Sequence, residues 1–292
     1  VASKQKVVAV IGLVTAAMVW GLIWYPYRVL DAAGVSGMAA TVITYTFALS
    51  LGVLLSGSVW REWRVAGWIG ILLPLTAGWS NLGYVLGMLD GEVMRVLLLF
   101  YLAPLWTVGL SRLLLNEQLN RYGYAVAALS LAGAIVMLWE PHLGWPWPQN
   151  QAEWFGLSAG LSFALANVLV RRADHLSVNY KSSSIWLGTA LITMLAMLVM
   201  GRTHELLSIS PDYFWLLGLL GVVLCAASFI VQFGLTHLPA NQSIVLFLSE
   251  LVFAAIAAYF LAGESMGVRE IIGAVLIVSA SLMSGKMQSG DS

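Results

Sequence analysis

Residues Val93 to Glu117, VMRVLLLFYLAPLWTVGLSRLLLNE, and residues Ala240 to Glu264, ANQSIVLFLSELVFAAIAAYFLAGE, write one apolar paragraph twice. A shift of 147 positions lays Glu117 on Glu264 and Pro104 on Leu251. Each copy is an apolar run of the length that crosses a hydrocarbon core about 30 Å thick. Outward from these blocks, the same shift lays Trp68 on Trp215 and Gly87 on Gly234. The duplication therefore reaches well beyond one helix.

The rest of the composition agrees with a bilayer. Of the 292 residues, 60% are hydrophobic and 10% charged, against about 25% charged in an ordinary soluble domain. Among the 13 Trp and 10 Tyr, Trp60, Trp63, Trp68, Trp139, Trp145 and Trp147 cluster at run ends, where amphipathic rings anchor at headgroups. Cys225 is the single cysteine, so an intrachain disulfide is excluded, and four dispersed histidines offer no metal-ligand spacing. The expectation is no cofactor and no metal. A net charge of zero argues against a nucleic-acid partner. The start, VASKQKVVAV, runs straight into a long span without the short core and cleavage site of a secretory signal. An opening Val without Met reads as a processed end.

Ten apolar spans are expected at 7–27, 37–56, 65–88, 93–115, 122–139, 153–172, 181–200, 212–235, 241–261 and 267–284. Backbone groups in lipid must pair internally, so these are helices and the fold class is an all-α integral membrane protein. The connection Glu140–Gln151, with Pro141, Pro146 and Pro148, is the natural seam. It divides a first five-helix repeat (1–140) from a linker (141–151), a second repeat (152–285) and a short tail (286–292). Ten basic residues (Lys4, Lys6, Arg61, Arg64, Arg112, Arg121, Arg171, Arg172, Lys181 and Lys286) fall on one side, and Arg28, Arg95, Arg202 and Arg269 on the other. That bias places both termini in the cytoplasm. Five is odd, so the second repeat enters from the opposite side. A 5+5 inverted-topology repeat is the architecture of transporters that work by alternating access around a site between the halves.

Small residues recur at helical spacing in Gly83–Gly87, Gly156–Gly160 and Gly123–Ala127, which lets backbones approach closely. Pro26, Pro74 and Pro104 lie in or near span ends. Each removes an internal hydrogen bond, and each reads either as a static kink or as a hinge on a substrate path.

Ten spans, the duplication, Trp20-Gly21 in span one and the block from Pro104 to Glu117 resemble the EamA family of the drug/metabolite transporter superfamily. The block ending at Glu264 resembles the matching repeat, with Leu251 where a proline is usual. Within that family the chain is most similar to the YddG-type exporters of aromatic amino acids. The resemblance implies a multi-pass transporter of the bacterial inner membrane, exporting amino acids or related metabolites. It also implies a cavity formed by spans one, three, four, six, eight and nine.

Glu250 is the sharpest single residue, an acid near mid-depth of span nine. Such a group costs about 2.5–3.5 kcal/mol on insertion scales, so it should face a cavity or a partner. It reads as a site for a substrate ammonium, as a proton carrier, or as a protonated acid bonded to a neighbouring helix. Ser243, Phe247 and Ala254 share its helical face. Asn81 and Tyr84 in span three, Ser228 and Gln232 in span eight, and Asn167 in span six suit either the polar end of a substrate or interhelical hydrogen bonding. Trp20 and Tyr101 are expected to line the cavity, with Trp106 beyond, whereas Trp24 and Tyr25 read as interface anchors. Arg95, near Asp90 and Glu92, reads as a snorkelling side chain at a span end.

Gly156-Leu157-Ser158-Ala159-Gly160 fits the G-x-S-x-G pattern of hydrolases but lies inside a helix with every histidine elsewhere, so it reads as helix packing. Asn241-Gln242-Ser243 fits a glycosylation sequon on the cytoplasmic side, where it has no meaning. The leading expectation is export of amino acids with apolar or aromatic side chains. The alternative is proton-driven efflux of lipophilic cations. A nucleotide-sugar carrier would want mid-depth bases for its phosphates, and none is present.

Overall fold

The computed structural model describes residues 2–55, 59–91, 93–139, 147–263 and 267–287. These form α1 (Ala2–Ala32), α2 (Gly37–Leu55), α3 (Val59–Val65), α4 (Ile69–Asp90), α5 (Val93–Phe100), α6 (Ala103–Leu115), α7 (Arg121–Leu138), α8 (Gln151–Arg172), α9 (Val178–Val199), α10 (Phe214–His237), α11 (Ala240–Phe247), α12 (Ser249–Ala257) and α13 (Val268–Met283), with no strand among the described residues. Ten stretches are long and apolar enough to cross a membrane. They match the ten expected spans to within a few residues, with spans four and nine each built from two helices, α5–α6 and α11–α12. Most of the expected linker, Glu264 and most of the tail lie outside the described residues.

Local chemistry sets several boundaries. Asn120, Asn150 and Ser177 cap α7, α8 and α9 by accepting from the amides of Gly123, Glu153 and Tyr180 at 2.6, 3.0 and 3.1 Å, each satisfying a donor that a helix start leaves free. Val199, Leu282 and Leu113 are 81%, 83% and 78% exposed. Such a girdle of large apolar side chains is stable only against lipid.

Successive spans alternate in direction. One face, here the near face, holds the start of α1, the ends of α6, α8 and α10, and the end of α13. The far face holds the opposite ends. Contacts across the molecule agree: Asn120, at the start of α7, donates to the carbonyl of Lys286 at 2.9 Å, and Arg269, at the start of α13, reaches the carbonyl of Trp139 at 3.4 Å.

The packing is reciprocal between the two halves of the chain. α4 packs on α8 and α9, while α10 packs on α1 and α2; α2 meets α9, and α7 meets α13. Two acid–serine clasps repeat the exchange. On the near face, Glu62 in α3 accepts from the amide and the hydroxyl of Ser177, the N-cap of α9, both at 2.7 Å. On the far face, Glu205, just past α9, accepts from the hydroxyl of Ser36, which precedes α2. α2 and α9 therefore run antiparallel, each starting where the other has ended.

Spans four and nine break at matching depth. The turn at Tyr101–Leu102 separates α5 from α6, and the turn at Leu248 separates α11 from α12, 147 positions on. The causes differ. Pro104 has no N–H to give the Phe100 carbonyl, and the Leu105 amide instead bonds Leu102 at 2.9 Å. In span nine Leu251 stands in that place and its amide bonds Leu248 at 3.1 Å. There the Ser249 hydroxyl donates to the Leu246 carbonyl at 2.6 Å, a back-bond that bends helices. Glycine lies against both breaks. A Cβ at Gly21 would come within 2.8 Å of the Glu250 carbonyl oxygen, and one at Gly160 within 2.9 Å of Phe100 Cα.

Pro26 and Pro74 sit inside continuous helices, α1 and α4. The Pro74 backbone is packed against Gly188 of α9. The small-residue pairs act as read: Gly83 and Gly87 lie on α8 at Phe155, Ala159 and Ala152, Gly156 lies on Val96, and Gly123 faces the Met287 carbonyl.

Candidate functional site

The two breaks bring together residues from both halves. Glu250, in the first turn of α12, is half-buried. Tyr101 of the opposite break and Tyr84 of α4 are its neighbours. Among the described residues, no basic side chain forms an ion pair with Glu250. Around this acid runs a chain of rings. Tyr84 packs edge-on to Phe100 at 5.3 Å, Phe100 lies 5.3 Å from Tyr101 and 5.5 Å from Phe163, and Phe163 lies 5.8 Å from Phe247. A carboxylate set among ring faces favours a cation that also carries apolar surface.

The other expected residues divide. Asn167, Gln232 and Ser243 are buried at 6%, 3% and 0% exposure, and each has a polar atom without a protein partner: Asn167 Nδ2, Gln232 Oε1 and Ser243 Oγ. An unpaired buried group of this kind costs about 1–3 kcal/mol. Asn81 gives Nδ2 to the Tyr45 hydroxyl at 3.4 Å, and its Oδ1 is likewise unpaired. Ser228 accepts from the Trp186 indole at 2.9 Å, which ties α10 to α9. Trp20 packs away from Glu250, in a cluster with Tyr45, Trp186 and Leu224. Trp106 packs on Ala103, Ala164 and Ile244 between α6, α8 and α11, its Nε1 unpaired.

The near-face end of this region is shut. All eight residues of α11 are buried. Asn241 Nδ2 donates to Ser111 Oγ at 2.8 Å. Glu117 accepts from the Ala240 amide at 2.9 Å and from Arg171 Nε at 3.2 Å, joining the end of α6 to the end of α8 and the start of α11.

Arg95 overturns its expected role. It is 6% exposed rather than snorkelling, and its Nε and Nη2 meet the two carboxylate oxygens of Glu153 at 2.9 and 3.0 Å. Nη2 also donates to the Trp147 carbonyl at 2.9 Å, and Glu153 accepts from the Gln149 amide and Asn150 Nδ2. The guanidinium is held by a bidentate carboxylate with its remaining lone pairs satisfied, which favours burial over reaching for water. Ser158 is occupied as well, accepting from the Trp79 indole at 3.2 Å and donating to the Phe155 carbonyl.

Residues 150–285 match the EamA-like transporter family. The second half of the chain is thus similar to EamA-like transporters. An uncharacterized transporter of Archaeoglobus fulgidus is 27% identical to it over 205 residues, 68% of this chain and 70% of that one. An S-adenosylmethionine uptake transporter of Rickettsia prowazekii is 26% identical over 217 residues, 73% of this chain and 70% of that one. A protein known from a crystal structure shares the fold with a TM-score of 0.76 at 19% identity, covering 95% of this chain and 97% of that one. The relatives match the coarser reading, a transporter; the printed names do not single out aromatic amino acid exporters.

Sequence reasoning missed Phe100, Phe163, Glu153 and the buried Lys181. The aromatic pair left no signal, since an apolar ring in an apolar span is unremarkable until its neighbours are known. Glu153 had one: an acid three residues after Asn150 is a helix-start pattern.

Proposed function

We propose that this chain is an EamA-type membrane transporter that exports amino acids with apolar or aromatic side chains from the bacterial cytoplasm, by alternating access between two inverted five-span halves. The observation that carries the reading is the Glu250 carboxylate, placed at a helix break among Tyr84, Tyr101, Phe100 and Phe163 with no basic partner among the described residues. The carboxylate takes the substrate ammonium and the rings take its side chain. Reciprocal packing, the two clasps and the antiparallel α2–α9 pair support inverted halves, 1–140 and 152–285 about the 141–151 linker. The basic-residue bias puts the near face, and both termini, on the cytoplasmic side of the inner membrane. The buried α11 end then makes the cytoplasmic gate, and Pro104 at the break is the proline placed to act as a hinge.

The test is uptake of labelled phenylalanine, leucine and serine into proteoliposomes, with and without a proton gradient. Flux of the first two above the third is expected; absence of flux for every neutral amino acid overturns the reading. A second reading is efflux of organic cations, favoured by the acid among rings and by the relative named for S-adenosylmethionine uptake, whose ligand carries a sulfonium beside an amino-acid end. It requires flux of a permanent cation that Glu250→Gln abolishes.

A further inference from the structure

Lys181 is the buried charge that the Glu250 site does not use. It is 0% exposed, and its Nζ makes one hydrogen bond, to the neutral Thr236 hydroxyl of α10 at 2.9 Å. Its position is costly three times over. Buried charges are normally paired, and among the described residues no carboxylate lies within ion-pair distance of this one. It stands in the first turn of α9, four residues after the Ser177 cap, where the positive end of the helix opposes a cation. A second cation is beside it, because Arg171 of α8 donates to the backbone carbonyl of the same Thr236.

The acids around it do not pair with it. Glu62 is taken by the Ser177 amide and hydroxyl, Glu117 by Arg171 and the Ala240 amide, and Asp174, beside His175, is 76% exposed. Two cations thus converge on one threonine at the near-face gate. Thr236 continues one helical turn inward to Gln232, whose Oε1 is unpaired. From the near face, a recess of about 700 Å³ lined by Trp68, Glu117, Arg171, Arg172 and His175 leads to the Glu117–Arg171 pair.

We propose that Lys181 and Thr236, beside the Glu117–Arg171 pair, form a carboxylate-binding station at this gate, distinct from the Glu250 site. It takes the carboxylate of the substrate while the near face is open. The helical rise separates the two places: Ala240, at the gate, lies ten residues before Glu250, or about 15 Å. One amino acid cannot span that distance between its ammonium and carboxylate, so the stations are used in succession. The inference rests on amino acids being the cargo.

The experiment compares phenylalanine with phenethylamine, which lacks the carboxylate, in proteoliposomes of the full chain carrying Lys181→Met, Lys181→Arg or Glu250→Gln. A charge-assisted hydrogen bond corresponds to about tenfold or more in apparent affinity. Lys181→Met is expected to raise the phenylalanine KM by that factor and leave phenethylamine unchanged, Lys181→Arg to restore phenylalanine, and Glu250→Gln to impair both. Should Lys181→Met fail to fold, the unmodified protein gives the answer: acetylation of Lys181 by acetic anhydride, which reaches it while the near face is open and releases acetate, is read by mass spectrometry and is expected to be blocked by benzoate and by phenylalanine but not by phenethylamine. Equal loss of both ligands in Lys181→Met, no loss of either, or labelling indifferent to carboxylates overturns the station. Phenylalanine flux with a silent Lys181 leaves the export reading standing, whereas no flux of either ligand through the unmodified protein removes both.

Discussion

α11 and α12 lie end to end in one span, yet they live in different surroundings. Every residue of α11 is buried, while α12 buries only Ser249, Leu251 and Ala257. One turn of helix separates a fully buried end from a partly exposed one, and that turn carries the break and the acid. Span four repeats the plan: the break at Tyr101–Leu102 divides α5 from α6, and the end of α6 joins the near-face closure through Ser111 and Glu117. The two ion pairs between spans four and six sharpen the contrast. Arg95–Glu153 at the far face has side chains 7% and 3% exposed, whereas Arg171–Glu117 at the near face has 30% and 13%. The far-face pair, stripped of water, is expensive to separate once formed. The near-face pair meets solvent and parts more readily.

The contrast can be broken at several points. The largest effect is expected where backbones touch at the breaks. Gly160→Leu drives a side chain into the α5 backbone, costing about 3 kcal/mol; thermal unfolding in detergent should show it as a large fall in Tm, and an unchanged Tm would mean that α8 does not seat on the break. Next comes Glu250→Gln, which keeps the shape and removes the charge. Binding of ammonium-bearing ligands should weaken by about tenfold or more, measured by isothermal titration, while an uncharged aromatic amide binds as before. Smaller still is straightening of the breaks. Pro104→Ala returns a donor to the Phe100 carbonyl and Ser249→Ala removes the back-bond to Leu246, each shifting flux by about threefold to tenfold. Similar losses from two unlike substitutions would tie both breaks to one motion.

The smallest effect is at the far-face clasp. Burial pushes the Glu205 carboxyl up, but the Ser36 hydroxyl and the Arg202 guanidinium outweigh it and hold it below its ordinary 4.5. A lowered folded value means that the contribution is complete above the ordinary range and is lost as pH falls through the folded value. The Tm difference between the unmodified protein and Glu205→Gln should therefore be constant near neutrality and vanish in acid. A difference that grows in acid would contradict the assignment.

Much of this was legible in the sequence because the signals were local. Span positions follow from length and apolarity, and the first break follows from Pro104. The second break was hidden, because Leu251 occupies the matching position and the bend comes from a serine bonding its own helix. Glu250 stood out as a lone acid in an apolar run. The partners of Arg95 did not, since Glu153 lies 58 positions away and no periodicity links them. Lys181 was placed at a span edge by its charge, whereas the helix begins earlier and carries it inside. Trp20 had no signal for its partners: its ring packs with Tyr45, Trp186 and Leu224 of α2, α9 and α10, which no spacing links to span one.

Ser36, just before α2, is stitched to Glu205, just past α9, and Ser177, the cap of α9, is stitched to Glu62 of α3, the short helix that follows α2. With a fastening at each end of α9, one before α2 and one after it, α9 cannot slide along α2 by one residue without unpicking a carboxylate from a serine. That pair therefore resists lengthwise shear as an axle does.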